Sequence, residues 1–314
     1  MSDHDEHSEK SRKLTDHVLP AFAFSPSRVW VLTQSTFTQL VRMRTFYFLI
    51  VFVLIILAVA MLGFLYGPVE HLKAIKRWSF GAIYVFSMIF AISATSLMLP
   101  RDLEDRTLYT ILSKPVPRFE YLLGKLFGVI LVIGTSMLVM FALMCLLVMA
   151  RMGPVEAVYI QDLQRASGGE PLTPNDFKSV EVQVKAAGVS LNLFWGLWGY
   201  FLKASIIAAM TLLISTFATG TLFTIIMSTM IVFIGHFIQL AVGFWEKEGG
   251  TLAGIVSAPF EIIFADLKMF DVVDQVITGT SLPFSQALEL TGLGLFYIAI
   301  YTLIAQVIFV DKEL

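Results

Sequence analysis

An all-α integral membrane protein is the fold class the sequence predicts, with six transmembrane helices. Three observations predict it. Of 314 residues, 57% are hydrophobic and only 15% charged, and mean hydropathy is +0.78; a soluble domain runs nearer ~25% charged. Several windows of twenty or more residues carry no charge, the length a bilayer core of about 30 Å demands of a helix. Nowhere do apolar and polar residues alternate as in a membrane barrel, and in lipid only helices or closed barrels satisfy the backbone.

The elements follow in order. Residues 1–25 form a tail expected to be disordered and cytoplasmic, rich in His, Asp, Glu, Lys and Ser and lacking the apolar core of a signal peptide. Residues 26–314 then read as one six-span domain. Ser25-Pro26 has the form of a helix N-cap followed by proline at the first helical position. Behind it Val29, Trp30, Phe37, Leu40, Val41 and Arg44 recur at helical spacing, predicting an amphipathic helix in the membrane interface. The spans fall at about 46–66, 79–99, 126–149, 194–217, 222–245 and 290–310. An uncharged run of 42 residues between Lys203 and Glu246 is too long for one helix. Its small, polar break Ala218-Thr219-Gly220-Thr221 predicts a tight turn between the fourth and fifth spans. Aromatics at the span ends, Tyr66, Trp78, Trp195, Trp198 and Trp245, fit an interfacial belt.

Arg151–Leu193 is expected to form two short helices outside the membrane, with turns at Ser167-Gly168-Gly169 and Pro171…Pro174. Between the last two spans, Thr251–Phe260 is apolar but too short to cross, and reads as a re-entrant or interfacial piece. Six spans place both termini on one side. With that side cytoplasmic, inside segments hold 12 Lys+Arg against 9 outside, and Lys203 lies within a span; this predicts both termini inside.

Function classes can be excluded from the residues. The net charge of -2, from 22 basic and 24 acidic residues, gives no argument for a nucleic-acid partner. No G-x-x-x-x-G-K-[ST], H-E-x-x-H or G-x-S-x-G is present. Cys145 stands alone, and His4, His7, His17, His71 and His236 are too scattered for a metal site. No catalytic constellation and no resident cofactor are expected.

The informative stretch is Leu99–Lys125. In it Leu103, Thr107, Leu108, Ile111 and Leu112 share one helical face, opposite Asp102, Asp105, Arg106 and Tyr109. Early acids suit the positive end of a helix, and Pro115 and Pro117 end it. A short amphipathic helix at about 102–113 is predicted, then a rigid turn through Pro115, Pro117 and Arg118, then a new helix entering the membrane. Such a helix either lies on lipid or docks in a groove of another protein.

Glu104-Asp105, Thr107-Leu108, Ile111-Leu112-Ser113, Pro115-Val116, Arg118, Tyr121-Leu122 and Gly124-Lys125 match, in order and spacing, the pattern after the second span of ABC-2 family permeases. The chain resembles that family, departing from it where Arg106 replaces the usual glycine and Pro117 the usual serine. The resemblance implies a permease working as a homo- or heterodimer in a bacterial-type inner membrane. A separate ATPase subunit would bind the ATP and push on the 102–113 segment as a coupling helix. By the same resemblance Asp102, Glu104, Asp105, Arg106, Thr107, Leu108, Ile111 and Leu112 would contact that ATPase. Export is the expected direction. The rivals are an ATPase-independent transporter or channel, and a protein that transmits force without moving a substrate.

Depth supplies a further candidate site. Lys203 lies eight residues inward of Trp195, and His236 and Gln239 lie a similar distance from Trp245. At 1.5 Å per residue all three fall within roughly 15 Å of the outer surface. They form either a polar cluster on a transport path or a snorkelling lysine beside helix–helix hydrogen bonds.

Overall fold

The computed structural model describes residues 24–42, 51, 52, 55, 58, 67–104, 117–168, 171–218, 220–248 and 264–311. Among them the regular structure is helical throughout: α1 Pro26–Val41, α2 Pro68–Glu104, α3 Arg118–Ala166, α4 Pro174–Ala187, α5 Leu193–Phe217, α6 Thr221–Glu248, α7 Val273–Ile277 and α8 Phe284–Asp311, with a 3-10 turn at Leu267–Phe270. Among the described residues five helices are long and apolar enough to cross a membrane: 68–98, 118–166, 193–217, 221–238 and 284–310. The expected tail, all but its last two residues, lies outside the described residues. So does most of the predicted first span. Val51, Phe52, Ile55 and Ala58 of that span are helical, and the Phe52 ring meets Phe86 of α2 edge-on at 5.7 Å.

α5 is the axis of the bundle. Its residues Ile206, Ile207, Ala208, Ala209 and Leu212 are wholly buried, and α2, α3, α6 and α8 pack around it. The predicted turn is found where α5 ends and α6 begins: Ala218 is extended, and Thr224 N–H donates to the Gly220 carbonyl.

Two expectations are corrected. The second span, predicted to begin at about 79, begins eleven residues earlier: 68–78 are the first turns of α2, and Lys76 within them is 2% exposed, its Nζ donating to the Gly188 carbonyl. Likewise the region after Arg151 does not hold two separate helices. α3 runs on for 49 residues, through Pro154 to Ala166, roughly 70 Å at 1.5 Å per residue. Charge and proline signal a helix end in sequence; here packing overrides both, because this part of α3 lies against α4, with Val155, Val180 and Val184 in the buried core and Tyr159 and Leu163 packed on it. Gly168, at φ +67°, turns the chain where α3 stops. α4 then starts on a capping box, with Asp176 Oδ2 accepting from Thr173 N–H at 2.8 Å and from Thr173 Oγ1 at 2.7 Å.

α1 is helical where expected, with Ser25 as N-cap and Pro26 following it. Its buried face is Val29, Thr33, Thr36 and Leu40, seated on α3 at Gly124 and Gly128. A Cβ at Gly128 would stand 2.5 Å from Thr36 Cβ, and one at Gly124 2.5 Å from Leu32 Cβ. The two glycines, four apart, let the backbones touch in the manner of membrane helix pairs. Trp30 faces outward, 60% exposed.

Candidate functional site

Lys203 lies ten residues into α5, about 15 Å from its start, and its side chain has no exposed surface. An ammonium so enclosed needs a counter-charge. It has one in Asp271, whose Oδ1 accepts from Nζ at 2.7 Å. On another side Nζ stands 4.4 Å from the centroid of the Tyr84 ring on α2, close enough for cation–π attraction. The Tyr84 hydroxyl reaches α6, where it is 2.7 Å from His236 Nε2. His236 Nδ1 is 2.8 Å from the Val232 carbonyl. A carbonyl only accepts, so Nδ1 carries hydrogen and, in the neutral ring, Nε2 accepts from the tyrosine. Tyr200, one turn before Lys203, packs its ring 5.2 Å from that of Tyr84.

The structure thus joins two of the three residues that depth singled out, Lys203 and His236, through a tyrosine. The side chain of Gln239 lies outside the described residues. Sequence reasoning missed both Tyr84, which reads as one more aromatic in an apolar span, and Asp271, which sits in a connecting segment.

Thr251–Phe260, where a re-entrant or interfacial piece was predicted, lies outside the described residues; the segment that carries Asp271 is 264–282. It enters the bundle and rests on glycines. The Phe270 carbonyl lies 2.7 Å from where a Cβ of Gly199 would be, and the Ala265 carbonyl 2.8 Å from that of Gly235. Val273 fits against Gly196, and Leu202 with Phe270 against Gly294. Ala265 N–H donates to the Tyr301 hydroxyl of α8 at 3.1 Å. Glycines at 196, 199, 235 and 294, on three helices, were the signal in sequence that something packs closely there.

At the opposite end of the bundle lies the segment singled out by its motif. Asp102, Leu103 and Glu104 continue α2 without a break; Asp105, Arg106, Thr107, Leu108, Ile111, Leu112 and Pro115 lie outside the described residues. Pro117 is extended, at φ −58° and ψ 137°, and starts α3. Arg118 reaches across to the last helix, where Nη1 donates to the Phe309 and Val310 carbonyls at 3.1 and 2.8 Å, a cation at the negative end of α8. Glu120, fully buried, accepts from Arg28 Nε at 2.6 Å, Arg28 Nη2 at 2.8 Å and Ser25 N–H at 2.7 Å. Arg118 and Glu120, in the first turn of α3, thus tie α1, α3 and α8 together.

A family model described as "ABC-2 family transporter protein" matches residues 70–245. The chain belongs to the ABC-2 family. Its membrane part is thus a transport component, and membership implies partnership with an ABC-type ATPase. No curated protein sequence matches the chain. The ABC-2 match spans α2 to α6 and includes Tyr84, Lys203, His236 and the motif segment; α1, Asp271 and α8 lie beyond it.

Proposed function

We propose that the chain is the permease subunit of an ABC exporter, in a bacterial-type inner membrane, with both termini cytoplasmic and a second permease as partner. A separate ATPase docks on the segment 102–113 as on a coupling helix, and ATP-driven closure of the ATPases moves the bundle. The observation that carries this reading is the family match over 70–245, which contains the whole motif stretch Leu99–Lys125. The brace at Arg118 and Glu120 supports it mechanically: a push on 105–116 meets helices α1, α3 and α8 tied together by charge-assisted bonds. Lys203, His236 and Gln239 belong, in this proposal, to the transport path near its outer end.

Co-purification tests it. The tagged protein, extracted from its native host in mild detergent, is compared with a Glu104→Lys, Asp105→Lys variant, and the bound proteins are identified by mass spectrometry. An ATP-binding-cassette protein held by the wild type and lost from the variant is the expected result. The same ATPase on both would move the contact elsewhere, and no ATPase on either folded sample would overturn the permease reading in favour of a stand-alone transporter.

A further inference from the structure

Lys203 and its counter-ion are differently mounted. The lysine sits on the axial helix α5, without exposed surface. Asp271 comes from the 264–282 segment, follows the 3-10 turn, and has a side chain 38% exposed. The contacts that seat this segment on Gly199 and Gly235 are backbone carbonyls with the Val272 and Leu267 side chains, and Leu267, Phe270, Val273, Val276 and Ile277 are buried in the core; all of these are uncharged. The ion pair is different. A displacement of the segment would take Asp271 with it and leave Lys203 in the bundle beside Tyr84 and His236 as an unneutralised cation.

One residue away from that cation, beyond the Tyr84 side chain, is a place for something apolar. A cavity of about 300 Å³ lies between α2 and α6, lined by Tyr84, Met88, Ile92, Val232, His236 and Phe237 among others, at the small end of the ~300–1,000 Å³ usual for ligand sites. Its polar groups are the Tyr84–His236 pair and Thr229, whose hydroxyl is already bonded to the Ile225 carbonyl. The cavity is therefore apolar along its length and polar where it meets the Tyr84 ring, with Lys203 on that ring.

We propose that Lys203 receives the anionic head of an amphipathic substrate, that the α2–α6 cavity takes its apolar tail, and that Asp271 is the resting stand-in for the head group. The proposal rests on the transport reading above and adds the class of molecule moved. Two carboxylate-type groups would then compete for one cation, and removal of the internal one must favour the external one.

Chemical rescue tests this on the intact chain in a neutral maltoside detergent. Thermal unfolding is followed with dodecanoate, dodecanol and acetate for wild type, Asp271→Asn and the neutral pair Lys203→Met with Asp271→Asn. Dodecanoate should stabilise Asp271→Asn at a half-saturating concentration about fivefold or more below that for wild type, with dodecanol and the neutral pair showing no such effect. Equal stabilisation by dodecanol, or of the neutral pair, would overturn the role of Lys203. Rescue by acetate at the same concentration would overturn the amphipathic assignment. Should Asp271→Asn fail to fold, the wild type still decides: protection by dodecanoate over dodecanol, absent from the neutral pair, is required. Absence of rescue would leave the permease role standing, and loss of the ATPase in co-purification would leave this binding result intact.

Discussion

The two ends of the bundle are held by opposite means. At the Arg118 end, helix is fixed to helix: Glu120 takes three charge-assisted or backbone bonds from α1, Arg118 binds the last carbonyls of α8, and Gly124 and Gly128 bring α1 against α3 at backbone distance. At the Lys203 end, a segment of short helical turns is inserted among α5, α6 and α8, with the buried pair Lys203–Asp271 and the exposed pair Arg77–Asp274 tying it to the bundle. Bidentate and helix-terminal bonds resist displacement. The 264–282 segment is held instead by apolar burial, with Leu267, Phe270, Val273, Val276 and Ile277 in the core, and its contact to Lys203 ends on a half-exposed aspartate. In the transporter proposed above, force would enter at the ion-braced end and the packed segment would move at the other.

The largest effect should come from breaking the Lys203 pair asymmetrically. Asp271→Asn takes from an enclosed ammonium its hydrogen-bonded counter-charge and leaves only the weaker field of Asp266, a loss of about 3–5 kcal/mol. Lys203→Met leaves a carboxylate that is 38% exposed and open to water, and should cost clearly less. Denaturation of the two variants in detergent checks this; equal losses would mean that the lysine reaches solvent, and the contrast between the ends would fail.

Gly128→Leu attacks the other end. Its Cβ would start 2.5 Å from both Cβ and Cγ2 of Thr36 and 3.1 Å from the Thr33 carbonyl, so α1 must move away. A loss of about 3 kcal/mol, the top of the usual overpacking range, is expected. Gly81→Leu, where nothing lies within 4 Å, is the control. Substituting Glu120 by Ala removes the acceptor shared by Arg28 and Ser25 without a clash, and about 2 kcal/mol should go with it, within the range for bonds to charged groups. Cysteine accessibility along α1 would show whether its start detaches while Thr36 stays seated; a fully retained α1 would mean that the glycine contact alone holds it.

How much of this was legible in sequence follows from the range of each interaction. The membrane class, the α5–α6 turn at 218–220 and the start of α1 at Ser25-Pro26 rest on local hydropathy and local backbone chemistry, so they were readable. Lys203 and His236 were flagged because ionisable groups in apolar windows are rare. Their linker, Tyr84, was not, since an aromatic in a span carries no local sign of a partner 152 positions away. Asp271 was hidden for the same reason, 68 positions from Lys203. The extension of α3 past Arg151 and Pro154 failed as a prediction because its support comes from α4, a tertiary contact outweighing two local stop signals. Gly124 and Gly128 were visible as a spaced pair, but which helix lies on them is decided by the chain's return through Glu120.

The smallest effect separates α4 from both ends. Asp176 caps this helix by accepting from Thr173, and those bonds hold its carboxyl below the usual value of 3.8. A carboxylate whose folded pKa is depressed adds stability that is complete above its unfolded value and is lost as pH falls through the folded one. Acidification from pH 5 to below 3.8 should therefore loosen the start of α4 in wild type and leave Asp176→Asn, which lacks the titrating group, unchanged over that interval. Amide exchange at 173–177 is the measurement. Because Tyr159 Oη and the apolar seam to α3 still hold the helix downstream, the change should stay within the first turn; fraying that spreads to Val180 and Val184 would mean that α4 is held by its cap, as helix ends are at Arg118, and not by packing, as the 264–282 segment is on its glycines.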